Sequence, residues 1–345
     1  MILVYLILSI LSLFIIFSLI QYLFYNDDCD KIDIVISWVE RDDKYIEDKN
    51  FWLEKEDNKI NEKELERRSV DNQELKYLLR SIEKNFKNYN NIYLIVKDYQ
   101  FPKYIKRDHP KIRIIKESEI VPNNYLPTFN SMTIELYLHH IPNLTTNYIY
   151  LNDDFIFLKP IDKNYFLDSN NKPTPLYTSD IKYKYINEYE IDLNSYNFKD
   201  GYAINNFILD SIAKEEKDGR YNVSHVPKIF NRNYDYKIEQ KFRNYFIDDD
   251  DINIYDKTGM SKFRKNYNLY LVSILKEYLY KYWFGNKMKK TSCIFQTVFN
   301  LKDLEKMDIK EWQFMCINQI NKPNIEEYHT FMGNIFPEKS SFEVI

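Results

Sequence analysis

The chain has 345 residues, of which 44% are hydrophobic and 29% charged, and its net charge is −4. A chain of this length and composition is globular and can bury one large core or two modest ones. The negative net charge provides no field that would attract nucleic acid or an anionic membrane surface. Nucleic acid is therefore not an expected partner, and local basic groups would have to hold any phosphate-bearing ligand.

The sequence begins with an apolar segment. Residues 2–20 contain no charged residue, and apolar character continues through Tyr25. About twenty apolar residues are enough for a helix to cross a bilayer. The basic start and small-residue cleavage site of a signal peptide are missing, so we prefer an uncleaved anchor to that alternative. We therefore predict a single-pass membrane anchor over residues 1–25, which in a eukaryotic cell would place the remainder in the Golgi or another secretory lumen.

Short β-branched apolar runs alternate with helical patterns over the first half of the chain. Apolar residues recur at helical spacing between Leu75 and Phe86, and a second helix is expected from Pro127-Thr128 to near Pro142. This alternation predicts an α/β fold with a Rossmann-like, mostly parallel sheet. The predicted strands cover residues 32–39, 91–96, 111–115 and 148–151.

The second half of the chain has a different pattern. Residues 161–200 are polar, aromatic and irregular, as expected of a variable insertion or a substrate lid. Helical patterns resume within residues 201–345 and predict a mainly helical part. Since no Pro, Gly or Ser-rich linker separates the halves, we expect them to share one catalytic unit over residues 30–345.

Three cysteines, Cys29, Cys293 and Cys316, are too few for a disulfide framework and lack the spacing of metal ligands. One bridge between Cys293 and Cys316 and three buried thiols are both compatible with the sequence. The cysteines therefore do not decide the redox compartment.

Two adjacent carboxylates follow the fourth predicted strand. Asp153 and Asp154 come directly after Asn152, and open α/β sheets bind ligands at the carboxyl ends of their strands. Mg²⁺ is usually held by one or two carboxylates together with substrate phosphates. We therefore predict that Asp153 and Asp154 bind Mg²⁺ or Mn²⁺; the alternative is a polar turn capped by Asn152.

A second group of polar residues surrounds the start of the predicted helix before that strand. Ser131 and Glu135 are four residues apart, which places them on one face of a helix. Asn130 and Ser131 also suit a helix N-cap, so the alternative is a well-capped helix with an incidental Glu135. Because helix N-termini favour anions, this segment is a candidate ligand site.

Other candidates are isolated in the sequence. Asp33 lies in an otherwise apolar strand, and a buried, unpaired carboxylate is costly. Asp33 must then pair with a cation, for which Arg80 is a candidate, or face a site. His225 and Arg264 are weak signals alone, since a single histidine is more often structural and an arginine among lysines is usually solvated.

Taken in order, these motifs resemble the Stealth proteins, which include bacterial capsular polysaccharide phosphotransferases and the catalytic subunit of the lysosomal-enzyme N-acetylglucosamine-1-phosphotransferase. The segment from Asp71 to Asp154, which contains Glu135, is the most specific. The similar segments are Asp33–Val39, Asp71–Asp154, His225–Pro227 with Phe263-Arg264, and Cys316–Asn318 with Phe336–Glu343.

The resemblance implies transfer of a hexose 1-phosphate from a UDP-sugar, typically UDP-N-acetylglucosamine, to a glycan hydroxyl, with release of UMP. Residues 30–160 would then bind the nucleotide sugar, and residues 201–345 would complete the site. The expected catalytic residues are Asp33, Glu135, Asp154, His225 and Arg264, and the expected substrate-binding residues are Arg80, Asn130, Ser131 and Asn152.

In this scheme Asp154 and Arg264 stabilise charge on the donor diphosphate. Either His225 or Glu135 takes the proton of the attacking hydroxyl, and Asp33 orients the donor or a basic partner. Two alternatives stay open: an ordinary glycosyltransferase that releases UDP, and an inactive, membrane-anchored glycan-binding homologue. The sequence leaves the acceptor, the exact sugar and the formation of a homo-oligomer undecided.

Overall fold

The computed structural model describes residues 31–55, 71–183, 205–206, 208–210, 212–213, 220–223, 225–243, 262–263 and 272–344. The predicted anchor over residues 1–25, Cys29 and Arg264 lie outside these residues. Within the described ranges, no helix has both the length and the apolar character needed to cross a bilayer.

The strands of the described residues vary from two to eight residues in length. They are β1 (Ile32–Ser37), β2 (Tyr89–Val96), β3 (Ile112–Lys116), β4 (Asn147–Asn152), β5 (Phe155–Phe157), β6 (Leu176–Tyr177), β7 (Ser179–Tyr183), β8 (Arg220–Asn222), β9 (Lys228–Asn231), β10 (Lys289–Lys290), β11 (Cys293–Gln296) and β12 (Phe314–Ile317).

The α-helices of the described residues are α1 (Asp43–Lys55), α2 (Glu74–Asn85), α3 (Glu117–Ile120), α4 (Ser131–Tyr137), α5 (Arg232–Phe242), α6 (Val272–Phe284), α7 (Leu301–Leu304) and α8 (Ile325–Ile335). A short 3₁₀ helix, Leu138–His140, continues α4. The helical spacing of apolar residues between Leu75 and Phe86 therefore predicted α2 correctly.

The main sheet has five strands in the order β3-β2-β1-β4-β9. The first four are mutually parallel, and β9 runs antiparallel to β4. Since β1 and β4 are covered on both faces, their sequences are almost continuously apolar, as in other buried parallel sheets. The predicted α/β fold with a mostly parallel sheet is confirmed.

Successive side chains of β1 point to opposite faces of the sheet and enter two separate cores. Ile34 and Ile36 pack with apolar residues of α2 and α8. Val35 instead packs in a core that includes apolar residues of α4, α5 and α6. The two layers of helices hold the carboxyl edge of the sheet in a defined position.

A smaller sheet joins the two halves of the chain. Its order is β11-β12-β5, with β12 parallel to β11 and antiparallel to β5. The described part of residues 201–345 contains more helix than strand, but it also contributes β9, β11 and β12, which the sequence did not indicate. Each of these strands has four residues, which is too short for an alternating pattern to appear in the sequence.

Cys293 and Cys316 are free, buried thiols. In the parallel β11–β12 pair, Cys316 is opposite Phe295, and Cys293 is opposite Phe314. The cysteines are thus offset by two residues on neighbouring strands, about 8 Å between Cα atoms, where a disulfide needs less than about 7 Å. For these two residues, the structure selects buried thiols over a bridge.

Candidate functional site

Asp153 and Asp154 form the turn between β4 and β5 at the carboxyl edge of the main sheet. Asn152, the last residue of β4, is opposite Ser37, the last residue of β1. The exposed Asn152 accepts a hydrogen bond from the Tyr150 hydroxyl at 3.1 Å. The predicted carboxylate pair therefore lies at the sheet edge where parallel α/β sheets bind ligands.

Strand β12 brings the C-terminal part of the chain against this turn. The Ile317 N–H donates to the Asp154 carbonyl oxygen at 3.4 Å, and the Cys316 thiol donates to Asp154 Oδ2 at 3.4 Å. The amide oxygen of the exposed Asn318 lies 3.5 Å from the same thiol. Cys316 and Asn318 belong to the fourth similar segment, but their place beside Asp154 depends on a strand pairing that the sequence did not indicate.

His225 reaches the same thiol from a third segment. It precedes β9, which starts at the carboxyl edge because it is antiparallel to β4. Its Nδ1 lies 3.9 Å from Cys316 Sγ, and its carbonyl oxygen accepts a hydrogen bond from the Cys293 thiol at 3.0 Å. The imidazole also stacks on Phe295, with ring centroids 3.5 Å apart.

The backbone of His225 is left-handed, with φ = 56°. This conformation costs a non-glycine residue about 1–2 kcal/mol, and such strain is concentrated at functional sites. Lys228 holds the segment, since its ammonium group hydrogen-bonds the Val223 carbonyl oxygen and pairs with Glu277 at 2.6 Å. The fold therefore maintains His225 in an unfavourable conformation beside Asp154 and Cys316.

Burial shifts the pKa values of both candidate catalytic groups. It raises the pKa of Asp154 to about 6. Burial, together with the positive charge of Lys228, lowers the pKa of His225 to about 4. At neutral pH, Asp154 is therefore mainly ionised and His225 is neutral, so His225 can accept a proton.

Further carboxylates adjoin the pair, and our reading of the sequence assigned them no role in the site. Burial and the charges of Glu74, Asp154 and Asp71 raise the pKa of Asp153 well above its ordinary value. Burial, and to a smaller extent the charge of Asp71, raise the pKa of Glu74 to about 7. Asp71 and Glu74 lie at the start of α2. This edge of the sheet therefore has excess negative charge.

This electrostatic environment fits a divalent cation. Asp154 Oδ1 is shielded from solvent and has no hydrogen-bond partner, although the residue as a whole is half-buried. Orphaned carboxylate oxygens in a negative environment are what a cation would neutralise. Asp153 and Asp154 are the residues that would hold it, and two carboxylates suffice when substrate phosphates complete the coordination.

Among the described residues, the set of three side chains close enough to share one ion lies elsewhere. It consists of His139, His140 and Glu239. Both Nε2 atoms approach Glu239 Oε2, at 2.7 and 2.8 Å, and Arg243 binds the other oxygen at 2.6 Å. Since the guanidinium already neutralises this carboxylate, and the buried His139 Nδ1 lacks the partner that orients a metal-bound histidine, we interpret the cluster as structural.

Asn130 and Glu135 have identifiable structural contacts. The Asn130 side chain caps α4 by accepting the Met132 N–H at 3.1 Å, and Ser131 is the first residue of that seven-residue helix. Glu135 Oε2 accepts the Ser273 N–H of α6 at 3.1 Å. Asn130 and Ser131 therefore belong to a capped helix start, whereas Glu135 is buried between α4 and α6.

Asp33 lies at the other end of its strand. It is opposite Tyr148 and four positions before Ser37, about 13 Å along the strand. Its fully buried carboxylate accepts the Thr145 and Asn91 N–H groups, at 2.8 and 3.0 Å. These bonds account for the buried carboxylate as a structural group, and they place it at the opposite edge from Asp154.

Arg80 pairs with a residue other than Asp33. Its Nε and Nη2 donate to the two carboxylate oxygens of Glu343, both at 2.7 Å, and Nη1 donates to the Phe336 carbonyl oxygen at 2.8 Å. The suggested Asp33–Arg80 pair is therefore wrong. Arg80 instead fixes the C-terminal segment of the described chain to α2.

The neighbours of Arg264 approach the start of α4. The Phe129 N–H donates to the Lys262 carbonyl oxygen at 2.7 Å, and the Phe129 and Phe263 rings stack with centroids 5.1 Å apart. Arg264 itself lies outside the described residues, so its expected role stays a prediction.

A hollow of about 110 Å³ lies at the carboxyl ends of β2 and β3, with Lys97, Glu117 and Phe129 among its lining residues. Drug-sized ligands occupy about 300–1,000 Å³, so this hollow is too small for a nucleotide sugar. Lys97 pairs with Glu117 inside it at 2.7 Å. The hollow therefore adds no separate donor site.

Part of the chain matches a family of known proteins. The family model described as Stealth protein CR2, conserved region 2, matches residues 68–174. This range contains Asp71, Glu74, Asp153 and Asp154, whereas His225 and Cys316 lie beyond it.

Three relatives each match about two fifths of the chain. LcbA of Neisseria meningitidis, named a capsular polysaccharide phosphotransferase, is 37% identical over 142 residues, which is 41% of this chain and 38% of the relative. The similarly named fcs1 of Haemophilus influenzae is 36% identical over 140 residues, or 40% and 38% of the two chains. The relative eps5J of Streptococcus thermophilus, also named a capsular polysaccharide phosphotransferase, is 32% identical over 143 residues, which is 41% of this chain and 59% of the relative.

The aligned stretch thus spans less than two thirds of each of these relatives. The second conserved region is nevertheless matched with the acidic residues of the sheet edge inside it. These matches support the resemblance of this chain to the Stealth family.

Proposed function

We propose that this protein transfers a sugar 1-phosphate from a nucleotide sugar to a hydroxyl group of a polysaccharide. UDP-N-acetylglucosamine is the proposed donor, and UMP the leaving nucleotide. The observation that carries the proposal is the convergence of Asp154 and His225 on the Cys316 thiol, with Asp153 beside them. The names of the relatives, capsular polysaccharide phosphotransferases, support the same reaction class.

The proposed reaction exchanges one phosphorus–oxygen bond for another. The acceptor hydroxyl oxygen attacks the phosphorus that carries the sugar, and the bond from this phosphorus to the bridging oxygen of the diphosphate breaks. UMP leaves with that electron pair, and the product is a phosphodiester between sugar and acceptor. An ordinary glycosyltransferase would instead break the bond between the anomeric carbon and oxygen, and UDP would leave.

Charge neutralisation is the main requirement of phosphoryl-type transfer. Asp153 and Asp154 would hold Mg²⁺ or Mn²⁺, which when bound neutralises charge on the diphosphate. Asn152 is exposed beside them, where its amide can contact the substrate. Arg264 and Ser131 are proposed to contact the donor diphosphate, Arg264 as the balancing cation. Arg80 is not included, because Glu343 already occupies its guanidinium.

His225 is the better candidate for the base than Glu135. Its imidazole is neutral at neutral pH and adjoins the Asp154 site, whereas Glu135 receives the backbone N–H of Ser273 between two helices. A pKa of about 4 makes His225 a weak base. In a loose transition state, however, bonding to the nucleophile is little advanced, so a weak base can take the proton late.

We also propose that residues 1–25 anchor the protein in a membrane as a single-pass segment. The proposal rests on the uncharged run from residue 2 to residue 20. Fractionation of cells expressing the full chain and a variant without residues 1–25 tests it, with carbonate extraction separating embedded from adsorbed protein. Release of both proteins by carbonate would contradict an anchor.

The leaving nucleotide tests the proposed reaction. The full chain would be incubated in detergent with UDP-sugars, Mg²⁺ or Mn²⁺ and an array of oligosaccharides, and released nucleotides would be separated by chromatography. We expect UMP in an acceptor-dependent amount. Release of UDP alone would identify a glycosyltransferase. If the wild type released no more nucleotide than the Asp154→Asn variant, the proposed enzymatic activity would be contradicted.

A further inference from the structure

We propose that Phe295 is the stacking platform for a pyranose ring of the acceptor, and thereby a residue that determines acceptor specificity. The inference rests on the proposed function, in which His225 receives the proton of the acceptor hydroxyl. It assigns a binding role to a strand of the small sheet, outside the matched conserved region.

The exposure of Phe295 is unusual for its position. Its neighbour Ile294 is 2% exposed, whereas the Phe295 side chain is 41% exposed. A solitary exposed aromatic residue is unremarkable on a protein surface. Phe295, however, stacks on the neutral His225 and is opposite Cys316, whose thiol contacts the Asp154 carboxylate. An exposed aromatic ring beside such polar groups has the composition of a ligand site.

The ring of Phe295 is held in a defined orientation. It lies nearly parallel to the His225 imidazole, with an interplanar angle of 15° and centroids 3.5 Å apart. One aromatic face is therefore covered by the imidazole, and the exposed area belongs to the remainder of the ring. A ligand in contact with this ring would lie directly beside the proposed base.

Strand pairing fixes the platform relative to the other site residues. Phe295 is opposite Cys316 in the β11–β12 pair, so both side chains lie on the same face of the small sheet. Cys316 contacts Asp154 and His225 from that face. Sites built on strands are positioned more precisely than sites on loops.

The chemistry of the Phe295 ring favours a sugar as its ligand. The face of a phenyl ring is electron-rich and attracts the weakly positive C–H groups of a neighbouring molecule. A pyranose presents several axial C–H groups on one face, while its hydroxyls point outward. A phenyl ring has no hydrogen-bond donor or positive charge, so it is a poor partner for the diphosphate.

The location favours the acceptor over the donor. The proton that His225 would remove belongs to the acceptor, so the acceptor hydroxyl must reach the imidazole. The sugar ring that carries this hydroxyl is then the group nearest to Phe295. The diphosphate belongs beside Asp153 and Asp154, and a nucleobase stacked on Phe295 would have to displace the acceptor.

Steady-state kinetics of Phe295→Leu and Phe295→Trp test the proposal. Leucine keeps the apolar character but removes the ring, so we expect the KM for the acceptor to rise about tenfold, at the upper end of aromatic stacking energies. We expect the KM for the donor to change less than about twofold. Tryptophan should restore acceptor binding, and Val298→Ala, at a neighbouring exposed position, should leave both constants unchanged.

A binding measurement separates this proposal from the proposed reaction. Saturation-transfer NMR of the full chain with maltotetraose, chitotetraose and mannotetraose needs no turnover. Binding by the wild type and by Phe295→Trp, with loss in Phe295→Leu, supports the platform even if no product forms. Equal binding by wild type and Phe295→Leu, absence of binding to the wild type, or a rise in donor KM alone would overturn it.

Discussion

Asp154 and His225 approach the same thiol, that of Cys316. Cys316 Sγ is 3.4 Å from Asp154 Oδ2 and 3.9 Å from His225 Nδ1. The three residues come from the turn after β4, the segment before β9 and strand β12. Cys316 therefore links Asp154, in the second conserved region, to His225, which lies outside it.

The Asp154→Asn variant should lose activity without losing stability. We expect turnover to fall by at least about 10²-fold, the scale seen when one group that stabilises transition-state charge is removed. Burial raises the pKa of Asp154 to about 6, so its ionised form opposes folding above its unfolded pKa. The variant should therefore melt at the same temperature or higher. Initial rates and thermal scans would measure both effects.

Asp303→Asn is the matched control, since Asp303 is exposed and pairs with the exposed Lys306. It should retain the wild-type rate and melting temperature. An active Asp154→Asn enzyme would remove Asp154 from the mechanism, and a large fall in melting temperature would make it a structural residue.

Substitutions of Cys316 should distinguish the effect of its hydrogen bond to Asp154 from the effect of its packing. Cys316→Val keeps an apolar side chain of similar size but cannot donate to Asp154, so we expect kcat to fall about tenfold or more while the fold persists. Cys316→Ser keeps a donor and should retain more activity. Far-UV circular dichroism would confirm folding, and kcat with saturating substrates would be compared. Equal kcat for the valine and serine variants would contradict a role for the thiol hydrogen bond.

Metal removal should abolish activity reversibly. Because two adjacent carboxylates with excess negative charge fit a divalent cation, EDTA should stop product formation, and added Mg²⁺ or Mn²⁺ should restore it. Asp153→Asn should raise the metal concentration needed for half-maximal rate by about tenfold or more, as expected when one of two ligands is weakened. Full activity after exhaustive chelation would contradict a catalytic metal.

The Arg80–Glu343 pair predicts a loss of stability in acid. Burial alone would raise the pKa of Glu343, but hydrogen bonds from Arg80 and Ser340 outweigh it and hold the pKa below its usual value. A carboxylate with a depressed folded-state pKa stabilises the protein above its unfolded pKa, about 4.3. This contribution is lost as pH falls through the lower, folded-state pKa.

Urea unfolding between pH 3 and pH 7 would measure that contribution. At pH 7, Glu343→Gln should lower the free energy of unfolding by about 2–4 kcal/mol, because it leaves a mostly buried guanidinium without its carboxylate. The difference from wild type should shrink toward pH 3. Glu327→Gln, at an exposed position of α8, is the control. A difference that is constant with pH would contradict the ionic origin.

A substitution in the His139–His140–Glu239 cluster should lower stability rather than catalytic activity. Glu239→Gln removes a carboxylate that contacts two histidines and Arg243. We expect the free energy of unfolding to fall by about 2–3 kcal/mol, the scale for breaking a buried charged hydrogen-bond network. Activity of the folded fraction should be unchanged. If Glu239→Gln lost activity and added Zn²⁺ restored it, the cluster would instead be identified as a metal site.

Local sequence patterns were sufficient to predict much of the secondary structure in the first half of the chain. Strands β1, β2 and β4 are short, mostly apolar and mostly buried runs, and β3 is a short β-branched run, so their own composition reveals them. The same reasoning placed Asp153 and Asp154 at the carboxyl edge, because a parallel sheet aligns the ends of its strands. It did not distinguish Asp33 from these residues, since composition does not show which end of a strand faces a ligand.

The sequence by itself determined the α/β class, the carboxylate pair at a strand end and the resemblance to the Stealth family. Each depends on residues close together in the chain, whose periodicity or motif is visible without a fold. Only the tertiary structure decided that Arg80 pairs with Glu343, that Cys316 lies between Asp154 and His225, and that Phe295 stacks on His225. These contacts join segments that are distant in the chain. Those of Cys316 and Phe295 also depend on the pairing of four-residue strands, which is decided by the whole packed core rather than by any local pattern.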